Sequence, residues 1–404
     1  MNNSKNNLLL SIASGLLLGL SVNQFGEVPL SPLVLICLVP LFFAISGETG
    51  FLIYSIKIYM VSILFLLLLL ASFTTQSFFG GMLFIALSAV LFSVPFYLIY
   101  FLRKYIGYQK ALLLLPLVWP VFEWFVLEKT FELPLLSLAS RLAVFPSLVQ
   151  YVDITGYTGI SMWVLILNVA LYLTLDKWFK LRSLDNPEKK KKEKIVLIRR
   201  LSLVVLACFL LPLIYYSYVK NTIPDQFKKT IRVSVIQSNF ALEEDTADSV
   251  FTEFVKSQIT LTDSIVQKDS TDLIVWPEGG IPYAFKEHRD NYEYFFSKVL
   301  IWQKPMLSGT FDKKYFKNSS SIPALQRYLN RDYEIYNSAV LITQQLAYAS
   351  LVQGRDISSL KLYRKRNLMQ FTEHVPLSET FPFLSNFSII FGGNSNFSPG
   401  TGSA

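Results

Sequence analysis

The sequence predicts a polytopic α-helical membrane domain followed by an α/β domain, and composition supports both parts. Of the 404 residues, 52% are hydrophobic and 16% are charged, whereas soluble domains average about 25% charged residues. The apolar bias is confined to the first half, because from Lys220 onward polar and charged residues are spread as in a globular domain. We therefore predict a transmembrane domain over residues 1–219 and an outer domain over residues 220–404.

Seven apolar segments are candidates for membrane-spanning helices, which need about 20 mainly apolar residues each. They are Leu8–Val22, Leu30–Ser46, Phe51–Phe73, Met82–Leu102, Ala111–Leu127, Ile160–Leu175 and Leu201–Tyr218. The first segment is short, and with Lys5 before it a cleaved signal peptide is the alternative. No small-residue cleavage site follows, so we expect a retained helix and about seven spans.

Basic residues between the predicted spans indicate the orientation, because Lys and Arg near helix ends stay on the cytoplasmic side. Arg103, Lys104 and Lys110 lie between the fourth and fifth spans, and the run Lys189–Lys194 lies between the sixth and seventh. With seven spans, both loops fall on the same side as the N-terminus. The N-terminus is then cytoplasmic, and the domain after Tyr218 lies on the opposite face, the periplasm of a two-membrane bacterium.

The net charge of +8 does not indicate a nucleic-acid partner. The basic residues concentrate at the edges of apolar segments and in one KKKKEK loop, a pattern typical of membrane proteins. The two cysteines, Cys37 and Cys208, lie inside apolar runs and cannot build a disulfide framework or a zinc site. We expect neither a metal nor another cofactor.

One carboxylate lies within the predicted membrane domain, before an aromatic and proline-rich stretch. Glu123 precedes Trp124, and the chain continues through Phe131–Pro134 and Arg141 to the segment 146–163, PSLVQYVDITGYTGISMW. An ionisable group at membrane depth is costly, so Glu123 should face protein or water and have a partner such as Arg141. The alternative is a carboxylate at the headgroup level with no function.

The outer domain alternates strand and helix patterns, which indicates a layered α/β fold. Strands are recognised by period-2 alternation or short apolar runs, and helices by apolar residues three or four apart. The predicted strands are Ile231–Gln237, Leu273–Trp276, Pro305–Gly309 and Ile335–Ile342, and the predicted helices are Val250–Gln267 and Tyr292–Gln303.

Two motifs contain candidate catalytic residues. Leu273–Pro282, LIVWPEGGIP, places Glu278 at the carboxyl end of a strand, where α/β folds usually hold their sites. Partial burial there would let Glu278 take a proton as a general base, although a surface salt bridge is the alternative. Leu362–Pro376, LYRKRNLMQFTEHVP, contains Lys365, which can stabilise an oxyanion, and Glu373, which can orient it. A solvated or phospholipid-facing basic patch is the alternative for this segment.

In their order along the chain, these motifs resemble those of a known family. The W-P-E-x-x-I-P strand end, S-G-T at Ser308–Thr310, Y-N-S-A at Tyr336–Ala339 and the Lys365 segment resemble the nitrilase domain of apolipoprotein N-acyltransferases. The series from Glu123 to Trp163 resembles the membrane domain of the same family. The resemblance implies a nitrilase-like αββα sandwich in the outer domain and a multi-pass protein of the bacterial inner membrane.

The resemblance also implies an activity. It is the transfer of an acyl chain from a phospholipid donor to the N-terminal amine of a diacylglyceryl-modified apolipoprotein, through an acyl-thioester enzyme. In this mapping Glu278 is the general base, Lys365 the oxyanion stabiliser and Glu373 the supporting acid. The nucleophile would be a cysteine on a strand after the Lys365 segment, and a last membrane helix would follow.

The segment after Lys365 departs from this pattern. Its 39 residues contain neither a cysteine nor an apolar span, and Asn394–Ala404 is Gly/Ser-rich. We therefore expect an outer domain that is incomplete at its C-terminus, with a tail that completes no sheet. A truncated or split acyltransferase and a non-catalytic protein that binds lipid or lipoprotein are both compatible with this. A membrane-tethered amidohydrolase would share the site residues but not the Glu123–Trp163 series.

The predicted orientation can be tested with reporter fusions. A reporter fused after Tyr218 should lie outside the cytoplasm, and one fused after Leu181 should lie inside, because the basic loops fix the orientation. Paired alkaline phosphatase and green fluorescent protein fusions at both positions measure this. A cytoplasmic signal from the Tyr218 fusion would contradict the predicted topology.

Overall fold

The chain divides into two compact units, Met1–Pro224 and Asp225–Ala404, whereas the sequence predicted a division between residues 219 and 220. The computed structural model describes residues 2–25, 27–71, 74, 78–130, 136–183, 185–222, 230–237, 248–268, 271–281, 289–352, 362–369, 373–375, 377–387 and 396–401. The predicted aromatic segment Phe131–Pro134 lies outside these residues.

The first unit is built from helices. Its α-helices are α1 (Asn2–Leu20), α2 (Val39–Ser46), α3 (Phe51–Leu69), α4 (Phe78–Ile106), α5 (Tyr108–Leu112), α6 (Leu115–Phe122), α7 (Pro146–Val149), α8 (Val152–Lys180) and α9 (Pro187–Thr222). Short 3-10 helices occur at Ser31–Leu35, Ala139–Leu142 and Leu181–Ser183, a π-helix at Glu123–Thr130, and a hairpin of β1 (Gln24–Phe25) and β2 (Val28–Pro29).

Four helices of the first unit are long and apolar enough to cross a membrane, judged by length and composition. They are α3, α4, α8 with its 3-10 extension, and α9. The remaining predicted spans correspond to shorter apolar helices, at Lys5–Leu20, Ser31–Ser46 and Leu115–Val126. Helices are confirmed in all seven predicted segments, while the count of seven spans remains a prediction.

The fifth predicted span is not one continuous helix. The structure divides it into α5, α6 and the π-helix that begins at Glu123. Pro116 lies in the first turn of α6 and Pro120 lies inside it. Because proline has no backbone N–H and clashes with the preceding turn, it interrupts the regular helical hydrogen bonds. The prolines account for the difference from the single predicted helix.

Glu123 is fully buried within the first unit, as expected for a carboxylate that faces protein. Its Oε1 accepts hydrogen bonds from the Trp119 indole at 2.9 Å, the Leu138 backbone N–H at 3.0 Å and the Ser161 hydroxyl at 2.9 Å. No hydrogen bond from Arg141 to Glu123 occurs among the described contacts. Neutral donors from three separate segments hold the carboxylate instead.

The second unit contains, within the described residues, one five-stranded sheet. In spatial order its strands are β3 (Val233–Val235), β4 (Leu273–Val275), β5 (Met306–Tyr315), β6 (Tyr333–Ile342) and β7 (Leu362–Arg364). Neighbours are parallel from β3 to β5 and antiparallel from β5 to β7. The α-helices are α10 (Asp248–Lys268), α11 (Arg289–Trp302), α12 (Ala324–Tyr328) and α13 (Gln344–Val352).

The strands and helices predicted for the second unit are confirmed, and the described residues contain three further strands or α-helices. Strand β5 extends six residues beyond its predicted end at Gly309, because it pairs with β6 over ten residues. Strand β7 and helices α12 and α13 were not predicted. Residues 361–366, KLYRKR, are mainly basic and show neither an apolar run nor a period-2 alternation.

Helices α10, α11 and α13 pack on one face of the sheet. The shared core includes Trp276 beside β4 and Phe295 of α11, which are 2% and 0% exposed. On the opposite face, Val235, Leu341 and Tyr363 are 68%, 46% and 48% exposed. The described residues therefore form one helix layer on one sheet, and the second half of an αββα sandwich remains a prediction.

Asp263 joins α10 to α11. Its Oδ1 accepts a hydrogen bond from the Trp302 indole at 2.7 Å, and its Oδ2 lies 2.6 Å from Lys298 Nζ. The hydrogen bond to Asp263 raises the pKa of Lys298. The stabilisation from this ion pair is therefore present at neutral pH and is lost as the pH rises above about 10.

We predict that Asp263→Ala destabilises the second unit by about 1–3 kcal/mol at neutral pH, because the buried Trp302 N–H loses its acceptor. Tryptophan fluorescence during urea unfolding measures the change. Glu253→Ala, which removes an exposed carboxylate from the same helix, is the matched control. Equal unfolding midpoints for the two variants would contradict this role of Asp263.

Candidate active site

Glu278 lies in a tight turn at the carboxyl end of β4. Gly279 has a φ of +65°, in the left-handed region that favours glycine. Gly309 of β5 packs under this turn, where a Cβ atom would lie 2.6 Å from the Cα of Glu278. The Gly309 N–H donates to the Pro277 carbonyl at 3.2 Å, and the Ile281 N–H donates to the Gly309 carbonyl at 3.0 Å. The main chain around Glu278 is thus fixed against β5.

Lys365 follows β7 directly. Its backbone N–H donates to the Asn337 carbonyl at 2.8 Å, which continues the pairing of β7 with β6. The preceding Arg364 has separate partners: Nη2 lies 2.5 Å from Asp312 Oδ2, and the guanidinium lies 4.0 Å from the centre of the Tyr336 ring. Successive strand residues point to opposite faces of the sheet, so the side chains of Arg364 and Lys365 lie on different faces. Arg364 is therefore not part of a solvated basic patch.

Glu373 is largely buried, with 9% of its side chain exposed. Its backbone N–H donates to the Met369 carbonyl at 2.9 Å, and its Oε2 accepts from the Met369 N–H at 2.7 Å. Lys365 Nζ lies 2.9 Å from Oε1 and 2.8 Å from Oε2. The loop therefore orients the Glu373 carboxylate toward Lys365. Phe371 of the same predicted motif lies outside the described residues.

The side-chain amide of Asn337 joins the predicted residues. Its Nδ2 donates to Oε1 of Glu278 and, at 2.6 Å, to Oε1 of Glu373. Glu278, Asn337, Glu373 and Lys365 therefore form one connected hydrogen-bonded cluster. The sequence contained Asn337 only as one letter of the Y-N-S-A motif. An amide in the middle of a predicted strand is the signal that could have identified Asn337, because a buried amide needs a hydrogen-bond partner.

Glu278 is exposed, so the prediction of partial burial is wrong. The Trp276 side chain lies in the helix-covered core, but the strand has ended before Glu278 and the Gly279 turn carries the carboxylate outward. Among the described contacts, only Oε1 of Glu278 is hydrogen-bonded. Oε2 can therefore accept a proton, and Lys365 supplies a positive charge within the same cluster.

The tail docks beside this cluster. Its described residues, 396–401, form no strand. Nevertheless, the Ser398 N–H donates to the Ile335 carbonyl at 2.7 Å, and the Gly400 N–H donates to the Lys365 carbonyl at 2.8 Å. Backbone hydrogen bonds need no apolar side chains, so the Gly/Ser-rich composition does not prevent the tail from contacting the edge of the sheet.

Similarity to known proteins places the chain in a family. A family model described as the apolipoprotein N-acyltransferase N-terminal domain matches residues 14–170. A protein of Chlorobaculum tepidum named apolipoprotein N-acyltransferase is 30% identical over 395 residues, which cover 97% of this chain and 69% of that protein. The chain belongs to the apolipoprotein N-acyltransferase family.

Two further apolipoprotein N-acyltransferases are similar to the chain. The protein of Geobacter metallireducens is 24% identical, over 97% of this chain and 68% of its own length. That of Bdellovibrio bacteriovorus is 26% identical over 281 residues, or 67% of this chain and 43% of its own length. The resemblance inferred from the motifs is confirmed. At the level of the family, it indicates a bacterial membrane protein of lipoprotein N-acylation.

We predict that Asn337→Asp destabilises the second unit by about 1–3 kcal/mol at pH 7, because it places a third carboxylate against Glu278 and Glu373. The repulsion favours protonation in the folded state, so the deficit should shrink as the pH falls toward about 4. Urea unfolding at both pH values measures this.

Asn318→Asp, at an exposed position, is the control for the added charge. A loss of stability in Asn337→Asp that does not depend on pH would contradict the contact between the amide and the two carboxylates.

Proposed function

We propose that this chain contributes the membrane unit and the Glu–Lys part of an acyltransferase site. The reaction moves an acyl chain from a phospholipid to the N-terminal amine of a diacylglyceryl-cysteine lipoprotein. The observation that carries the proposal is the cluster centred on Asn337, in which the proposed base and the proposed oxyanion stabiliser are linked through one amide. Family membership supports the substrate class.

In the proposed first half-reaction, Glu278 Oε2 takes the proton of a cysteine thiol as sulfur attacks the phospholipid ester carbonyl. Lys365, positioned by Glu373, stabilises the negative oxygen of the tetrahedral intermediate. The intermediate collapses, the carbon–oxygen bond breaks, and Glu278 returns the proton to the departing lysophospholipid. The product is an acyl thioester on the enzyme.

In the second half-reaction, the lipoprotein amine attacks the thioester carbonyl. Glu278 takes a proton from the nitrogen, and Lys365 again stabilises the oxyanion. The carbon–sulfur bond then breaks, which releases the N-acylated lipoprotein, and the proton returns to sulfur. Glu278 thus serves both half-reactions, because it accepts a proton when the nucleophile attacks and returns the proton when the leaving group departs.

We assign the nucleophile to neither cysteine of the 404 residues. Cys37 is fully buried and its Sγ donates to the Val34 carbonyl at 3.3 Å, while Cys208 is half-buried on α9. Both belong to the first unit. We propose that a cysteine outside these residues, in a longer or split product, completes the site.

The membrane helices fit this proposal because both proposed substrates are anchored in lipid. Membrane helices keep the chain at the bilayer, where phospholipid and lipoprotein arrive by lateral diffusion. We place the second unit in the periplasm, on the basis of the basic loops, and assign it an αββα nitrilase-like fold.

The 404-residue protein alone should form no acyl thioester and no N-acylated product, since Glu278 and Lys365 cannot replace a thiolate. The assay incubates it with phospholipid and a diacylglyceryl-cysteine peptide, and measures the hydroxylamine-sensitive thioester and the acylated peptide. Co-expression of a downstream segment that contains the cysteine should restore both. Turnover by the 404 residues alone would refute the assignment of the nucleophile.

In the restored assembly, Glu278→Gln and Lys365→Met should each lower the rate at least a hundredfold. Lys317→Met, which removes an exposed cation of the same unit, is the control and should retain the wild-type rate. Peptide binding without acylation in the restored assembly would favour a non-catalytic lipoprotein-binding protein instead.

A further inference from the structure

A groove of about 770 Å³ lies in the first unit between α8, α9 and the segment 109–117. Its volume falls in the range of about 300–1,000 Å³ typical of small-molecule sites. On α8, Met162, Ile166, Val169 and Leu173 line it. Their spacing places them on one face of the helix, so the wall is a continuous apolar stripe.

The length of this stripe matches one leaflet of a bilayer. Met162 and Leu173 are eleven residues apart, or about 16 Å at 1.5 Å per residue. One leaflet contributes half of a hydrocarbon core of about 30 Å. Leu201 and Val204 of α9 line the facing wall. The groove therefore has the shape and polarity to hold one acyl chain along the helices.

The same face of α8 becomes charged one turn beyond Leu173. Lys177 and Lys180 line the groove there, and their side chains are 45% and 67% exposed. Lys177 Nζ lies 3.0 Å from Glu193 Oε2, and Lys180 Nζ lies 2.7 Å from Asp176 Oδ2. Such exposed ion pairs contribute little to stability, so an incoming anion can share these lysines.

Arg200 of α9 also lines the groove and is exposed, and its charge acts on Glu193, the ion-pair partner of Lys177. No ion pair of Arg200 occurs among the described contacts. A guanidinium binds phosphate through two parallel hydrogen bonds. From 176 to 200 the chain has ten Lys or Arg and four Asp or Glu, a net charge of +6, and the whole chain has +8. Most of the net charge of the protein is thus concentrated around this end.

We propose that this groove, the acyl–phosphate groove, binds an anionic glycerophospholipid. One acyl chain lies along the α8 stripe, and the phosphate lies between Arg200, Lys177 and Lys180. Basic pockets between membrane helices are suited to anionic head groups. The inference goes beyond the proposed acyl transfer, because the residues that line the groove belong to the first unit and include none of the proposed catalytic residues.

Native mass spectrometry of the 404-residue protein, titrated with phosphatidylglycerol or phosphatidylcholine of the same acyl chains, tests the proposal. The wild type should retain phosphatidylglycerol with at least tenfold higher affinity, because each cation near an anionic lipid adds to the attraction. Lys177→Gln combined with Arg200→Gln should remove most of this preference.

Two controls separate the groove from general surface charge. Lys191→Gln combined with Lys192→Gln removes the same charge from exposed lysines that do not line the groove, and should preserve the preference. Ala170→Leu narrows the apolar wall without changing any charge, and should weaken phosphatidylglycerol binding. Circular dichroism and size-exclusion profiles equal to those of the wild type identify folded variants.

Competition with glycerol phosphate separates a bound phospholipid from a bound free phosphate ester. Glycerol phosphate should not compete with phosphatidylglycerol if the acyl chain occupies the groove. Equal competition by glycerol phosphate would overturn the proposal in favour of a simple anion site. The two double variants, Lys177→Gln with Arg200→Gln and Lys191→Gln with Lys192→Gln, should differ. An equal loss of the preference for phosphatidylglycerol in both would overturn the proposal in favour of non-specific attraction to the basic loop.

Discussion

The side-chain amide of Asn337 is the contact on which the candidate site depends. It donates to two carboxylates that are 59 and 36 residues away in the chain. Glu278 comes from the end of β4 and reaches the amide across β5, where Gly309 leaves room for the Glu278 turn. Glu373 comes from a loop after β7, the strand next to β6. Lys365 enters the cluster through Glu373 and through its backbone bond to Asn337. The order of the strands in the sheet therefore brings motifs that are distant in the sequence together in one site.

In the first unit, as in the second, buried polar side chains are held by hydrogen bonds to segments that are distant in the sequence. A polar group without water must find its partners inside the protein, and Glu123 does so through Trp119, Leu138 and Ser161. Lys57 is equally buried and reaches the Ala44 carbonyl at 2.9 Å. Packing of apolar faces fixes the helices, and the hydrogen bonds of these buried polar groups link neighbouring segments. The groove beside α8 differs from these buried polar sites because the charged residues at its end are exposed.

Periodicity predicted the long elements well, since hydrophobic spacing is local information. It could not predict strand β7, which lies in the mainly basic stretch KLYRKR and forms by pairing with β6. The chemical roles of Glu278, Lys365 and Glu373 were suggested by motif order, but the burial of Glu278 was predicted wrongly because a turn at Gly279 redirects the chain. Asn337 was missed since its partners lie far away in sequence, and such contacts appear only after folding.

The central claim is that Asn337 positions the two carboxylates for acyl transfer. The direct test measures the rate of acyl-thioester formation in the assembly completed by the cysteine-containing segment, with Asn337→Ala compared with Asn318→Ala. Because small misplacements of catalytic groups cost about a hundredfold in rate, Asn337→Ala should be slower by about that factor, while Asn318→Ala should match the wild type. Equal rates for the two variants would contradict the claim.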